Sequence, residues 1–273
     1  QRTGTQVWNI GLPGRLAAID RKDATLPTVE LPGDCRLTLL SPDHDRLLDL
    51  KDNWAKELKA AGVRSGNFAQ LRERLADSRN LRPLGDVLGA EDDFDLEAPA
   101  SDETDIDLAD TLGRGTGEPG ADAPFGGDTS RANGSSIALL LEYPASKPEV
   151  RFLLAGDAWA SVLETSLARL LKPGARLSLN GFKLPHHGSV ANISEALLER
   201  LKCSNYLIST NGAIFGHPHA RCVELLLKTH AAQGKPRLHF NYLVTSTEAW
   251  SKPADQSARG YLAFHPTGLS LEF

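Results

Sequence analysis

Apolar residues in this chain recur with two spacings, and each spacing predicts an element. Unbroken or alternating apolar runs of strand length lie at residues 35–40 (CRLTLL, entered through a Pro-Gly turn), 135–143 (SSIALLLEY) and 150–156 (VRFLLAG). Further runs lie at 177–184, 206–209, 238–244 and 261–264. The link PASKPE between the second and third runs predicts a hairpin. Helical spacing appears at 45–61, through Leu47, Leu48, Leu50, Trp54 and Leu58. It appears again at 158–171, through Val162, Leu163, Leu167, Leu170 and Leu171, with Pro173 and Gly174 as the stop. Residues 194–201, entered through Ser194 as an N-cap, and 220–230 complete the helices. Strands and helices that alternate in this way predict a mixed α/β domain.

One stretch has neither spacing. No basic residue falls between Arg82 and Arg114, 11 carboxylates lie between Asp86 and Asp110, and a Gly/Pro-rich run follows. Such a segment buries too little apolar surface to offset its ordering entropy, so residues 83–131 read as an acidic, solvated and partly disordered insertion within a single domain over 1–273. DIDLAD lacks the EF-hand ladder and its central Gly. Gly115, Gly117 and Gly120 match a dinucleotide fingerprint by letter, without the strand before or the helix after that the fingerprint needs.

Composition narrows the classes. With 273 residues, 41% hydrophobic, 24% charged and a net charge of −5, the chain suits one or two globular domains and argues against a broadly basic nucleic-acid surface. The apolar runs fall well short of a membrane-spanning helix, and the chain reads as cytoplasmic. Cys35, Cys203 and Cys222 have no CxxC spacing and read as small buried apolar residues. The chain contains no Met and begins at Gln1, which points to a natural N-terminus further upstream.

Ligand-type residues cluster just after predicted strands, where α/β folds place their sites. They are Gly156-Asp157, Pro185-His186-His187-Gly188-Ser189 after the strand carrying Lys183, and Gly216-His217-Pro218. One carboxylate and several imidazoles suit a borderline metal such as zinc. Plainer roles stand beside this one. Asp157 can cap the helix that follows it. In an extended chain His186 and His187 point to opposite sides, so that one of them faces solvent. His217 can be a turn residue ahead of a helix starting at Pro218. Ser189 beside histidines lacks the GxSxG elbow of a nucleophile.

Together, NGSSIALLLEY, FLLAGDA, FKLPHHGS and LISTNGAIFGHP resemble the second half of metallo-β-lactamase-fold hydrolases of the ComEC-like branch, most clearly from Asn133 to Pro218. The resemblance implies an αββα sandwich with one or two zinc ions at its edge. It implies Asp157 as a bridging carboxylate, His186 or His187 as the last histidine ligand, and Lys183, Ser189 and His217 on the substrate side. The expected reaction is attack by a metal-activated water on a phosphodiester, nucleic acid included, or a related ester or amide. The family's HxHxDH motif has no counterpart here. The only earlier histidine, His44, sits in the triplet Asp43-His44-Asp45, which reads as a solvated turn. The chain is therefore expected to be the C-terminal part of the fold, missing its N-terminal half, with an incomplete metal site and no activity in isolation. A non-catalytic binding or scaffold module of the same fold is the alternative. An interaction domain that uses the acidic insertion to hold a basic partner is a third reading.

Overall fold

Pro32, Gly33 and Asp34 separate two strand-forming runs, and the chain reverses there: β1 (Thr28–Leu31) pairs antiparallel with β2 (Cys35–Ser41). In this computed structural model the described residues are 9, 11–60, 62, 64, 123–212 and 215–265. The predicted helix at 45–61 is α1 (His44–Ala60). Its start corrects the reading of Asp43-His44-Asp45 as a solvated turn. Asp43 is 9% exposed, accepts the Arg46 backbone N–H at 2.9 Å as a helix cap does, and pairs with Arg21 at 2.9 Å.

The acidic insertion expected at 83–131 lies outside the described residues as far as 122. Its last nine residues are folded rather than solvated. Gly126 and Asp128 donate their backbone N–H groups to the carbonyls of Val190 (3.4 Å) and Ala191 (3.1 Å). Ser130 then caps the short helix α2 (Arg131–Gly134).

The predicted hairpin forms as β3 (Ala138–Tyr143) and β4 (Val150–Leu154), and the helix after it is α3 (Ala160–Leu170). The apolar run at 177–184 is two strands rather than one: β5 (Leu177–Leu179) and β6 (Gly181–Lys183). The break is at Asn180, whose N–H and Oδ1 are both taken by the Arg151 backbone at 2.8 Å. Then come α4 (Glu195–Glu199), capped by Ser194 as expected, β7 (Leu201–Cys203), β8 (Asn205–Ile208), α5 (Ala220–His230) and β9 (Arg237–Phe240). Two short helices, α6 (Thr245–Glu248) and α7 (Pro253–Arg259), precede β10 (Leu262–Phe264).

Among the described residues the strands form a mixed sheet in the order β1-β2-β3-β4-β6-β8-β9-β10, with β5 and β7 paired apart from it. The β1 to β4 half is antiparallel, and β4, β6, β8, β9 and β10 run parallel. The mixed α/β class read from the sequence is therefore present. Among the described residues no helix is long and apolar enough to cross a membrane.

Strand register assigns the two faces. Thr38, Leu140, Leu153, Phe182, Tyr206 and Leu238 are cross-strand neighbours on one face, and all are buried. Leu163 and Leu167 of α3, Leu197 of α4, and Cys222 and Leu226 of α5 join the same buried cluster. The other face carries Leu37, Leu141 and Phe152 in one row and Leu139, Leu154, Lys183 and Leu207 in the next, all half-buried. Phe264 at the end of the second row is 40% exposed. Sheets with one wet face alternate apolar and polar residues, whereas this one is mostly apolar on both, Lys183 and His239 being the polar members of the second row. Cys203 and Cys222 are buried free thiols, as expected, and Cys35 is half-buried.

Candidate functional site

The parallel half of the sheet brings the C-terminal ends of β4, β6 and β8 side by side, and the three polar turns read from the sequence leave from those ends. The first turn depends on Gly156. Its φ is +55°, and a Cβ there would lie 2.6 Å from the Ile137 carbonyl oxygen and 2.7 Å from Ser136 Oγ. Asp157 follows, its N–H donating to Ser136 Oγ at 3.0 Å. Asp157 does not cap the next helix, which starts at Ala160 with Trp159 in the N-cap position. Its carboxylate instead favours the protonated forms of Lys183 and His187.

In the second turn His186 is buried and His187 is exposed, so one of the pair faces solvent as expected, though not by the alternation of an extended chain. Both residues take left-handed backbone conformations, with φ of 44° and 55°, so the alternation of an extended chain does not apply. Their ring centroids lie 6.1 Å apart. The His186 N–H donates to the Gly156 carbonyl at 2.9 Å, which joins the first turn to the second. Gly188 continues the turn at φ +87°, with Pro218 so close that a Cβ would fall 2.7 Å from the proline Cβ. Through that contact the third turn joins the group. His217 is 2% exposed, with its ring 5.3 Å from His186 and 6.4 Å from His187. The helix expected at Pro218 starts at Ala220, and its N-cap residue His219 accepts the Val190 N–H on Nδ1 at 3.1 Å.

Burial lowers the pKa of Lys183 against the opposing pull of Asp157, and its Nζ donates to the Leu184 carbonyl at 2.9 Å. Desolvation also holds His187 below its ordinary value. Lys183 and His186 act in the same direction, while the Ser209 carbonyl and Asp157 oppose them. His187 Nδ1 meets that Ser209 carbonyl directly. Ser189, expected on the substrate side, is fully buried, and its Oγ accepts the Ala191 N–H at 3.3 Å as the cap of a single turn. It faces protein on this geometry.

Three residues that the sequence reading gave no role surround His186. Asp128, Asn133 and Asn192 are all buried. Asp128 Oδ2 accepts from Asn133 Nδ2 at 2.9 Å and from Asn192 Nδ2 at 2.6 Å. Asn192 Oδ1 lies 3.0 Å from His186 Nδ1, and Asn192 Nδ2 also donates to the Asp157 carbonyl at 3.0 Å. The available sequence signal was Asp128-Thr129-Ser130, where Asp128 Oδ1 takes the Ser130 N–H at 2.8 Å in a side-chain turn that starts α2.

Exposed apolar residues lie on the third turn and on the loop after β9. Phe215 (37% exposed) sits 5.8 Å from the His217 ring, and Tyr242 and Leu243 are 54% and 63% exposed. The two loops concerned are tied by Ser246 Oγ, which donates to the His217 carbonyl at 2.6 Å. Among the described residues no three His, Cys, Asp or Glu side chains are grouped so as to hold a metal. A separate cavity of about 340 Å³ lies beyond Trp159 and is lined by Arg21, Asp43, Arg46 and Thr165 among others. Comparison of the chain with protein-family models, with curated proteins and with solved structures finds no match.

Proposed function

We propose that this chain is the C-terminal part of a metal-dependent hydrolase with a metallo-β-lactamase-type αββα sandwich, acting on a phosphodiester or a related ester or amide. The observation that carries this reading is the left-handed His186-His187 turn, which holds two imidazoles at one strand end beside Asp157, Lys183 and His217. The sandwich is supported by the second apolar face of the sheet, which suits another layer packed upon it.

The donor types fit zinc. His186 and His187 each have Nδ1 against an oxygen, from Asn192 and Ser209, which is how metal-binding imidazoles are usually oriented. Zinc takes three or four protein ligands, and on this reading His186, His187 and Asp157 supply part of that set, no three such side chains being grouped to hold a metal among the described residues. Zinc would supply a water acidic enough to attack near neutral pH. The chain's own contribution is to position: Gly156 and Asn192 hold the Asp157 turn, and Lys183 places a cation where an anionic substrate would lie.

The shortfall in grouped donors specifically favours the second reading, a non-catalytic binding module of the same fold. Equilibrium dialysis against zinc, followed by hydrolysis of a chromogenic phosphodiester, separates the two. It is applied to the 273-residue chain and to the chain extended upstream to a start codon. Stoichiometric zinc in the longer chain, lost on Asp157→Ala, is expected for the hydrolase. No zinc in either, with no turnover, leaves the binding module.

A further inference from the structure

We infer that Asp128 is a positioning residue that fixes the tautomer of His186, with Asn192 as the relay. An ionised carboxylate can only accept hydrogen bonds. Asp128 Oδ2 therefore requires the amide nitrogens of both Asn133 and Asn192 to face it, at 2.9 and 2.6 Å. With its nitrogen committed to Asp128 and to the Asp157 carbonyl, Asn192 must turn its Oδ1 toward His186 Nδ1, 3.0 Å away. An amide oxygen also only accepts, so Nδ1 of His186 must carry the proton. The amide nitrogen of Asn133 sits 3.3 Å from the same Nδ1 and gives one of its two hydrogens to Asp128, whereas the shorter contact at Nδ1 is the 3.0 Å one with the Asn192 oxygen, which only a proton on Nδ1 satisfies. Asp128 Oδ2 itself is 3.8 Å from Nδ1, too far to take that proton directly.

Neutral His186 is thereby left with its lone pair on Nε2, as an acceptor or a ligand there and not as a donor. The same Asn192 grips the Asp157 main chain, so one buried side chain sets both the imidazole and the start of the carboxylate turn. The catalytic value of this arrangement rests on the proposed hydrolase reading. The tautomer does not.

The test is long-range 1H–15N correlation of the imidazoles in the metal-free chain, at a pH well above the ordinary imidazole value of about 6.5. His186 is expected as the Nδ1–H form. His230 provides an internal contrast, because its Nε2 lies 3.0 Å from the Leu198 carbonyl, which only accepts, and so carries the proton that His186 holds on Nδ1. Asp128→Asn replaces an obligate acceptor with a group of the same shape that can donate, which frees Asn192 to turn over. The ratio of the two His186 tautomers is expected to fall by about tenfold or more, as suits loss of a charge-assisted bond, while His230 keeps its form. A wild-type His186 protonated on Nε2 overturns the inference even if the variant does not fold. So does a folded Asp128→Asn chain with an unchanged ratio. Because no metal or substrate is present, failure here is distinct from failure of the zinc and turnover assays.

Discussion

Replacing Gly156 with alanine probes the turn on which the whole site hangs, and the structure supplies its own control. Gly156 has a φ of +55°, and an added Cβ would lie 2.6 Å from the Ile137 carbonyl oxygen and 2.7 Å from Ser136 Oγ. Gly174 has a comparable φ of +76°, but its Cβ would meet nothing within 4 Å. The left-handed backbone alone costs a non-glycine residue about 1–2 kcal/mol, and Gly174→Ala is expected to lose that much. At Gly156 the obstacle is backbone rather than a flexible side chain, so the strand end or the turn must move. That movement puts at risk the bonds from Asp157 N–H to Ser136 Oγ (3.0 Å) and from His186 N–H to the Gly156 carbonyl (2.9 Å), each worth about 1 kcal/mol. Gly156→Ala is therefore expected to cost about 3–4 kcal/mol. Urea unfolding followed by circular dichroism measures both variants against the parent, with the difference read from the midpoints. Equal losses in the two would refute the close approach of β3 to the turn.

Other perturbations test other parts of the structure. Leu153→Ala, at a site with no exposure, is expected to lose about 2–5 kcal/mol. Leu141→Ala, on the half-buried face, should lose clearly less in the same urea titration, and a comparable loss would show that face to be sealed. Ser189→Ala should cost about 1 kcal/mol as the loss of a cap and leave the binding of an anionic substrate analogue unchanged. A weakened dissociation constant would return Ser189 to the substrate side. Burial holds His230 below the ordinary imidazole value, so the unfolded chain takes up the proton first as pH falls. Stability from this residue is complete above about 6.5 and declines as pH drops from there toward the folded value. His230→Gln should flatten that part of the profile of urea midpoint against pH, and an unchanged slope would count against it.

The elements with strong periodicity were legible in the residues: α1, α3, α5 and the β3–β4 hairpin fall where apolar spacing puts them. What escaped had too little spacing to read. β1 offers only the four residues TVEL, and α6 and α7 carry few apolar positions. The split of 177–184 falls at Asn180-Gly181, a dipeptide that marks turns, with Asn180 held by Arg151 from 29 positions away. The site divides the same way. Its residues from Asp157 to His217 are chemically loud and follow strands. Asp128, Asn133 and Asn192 act through one another across the fold, and Asp128 lies at the end of a stretch whose composition reads as solvated. Composition describes a whole segment, whereas a buried carboxylate is decided by a few specific partners.

The paired left-handed conformers at 186 and 187 have a consequence for anyone who improves this protein. Each holds a non-glycine residue in a region that costs on the order of 1–3 kcal/mol, so the imidazoles occupy the turn against the preference of their own backbone. Glycine at either position would relax that strain while deleting a ring from the proposed site. Laboratory evolution toward heat resistance alone would thus be rewarded for dismantling that site, and stability and zinc binding should be selected together or these two positions held fixed.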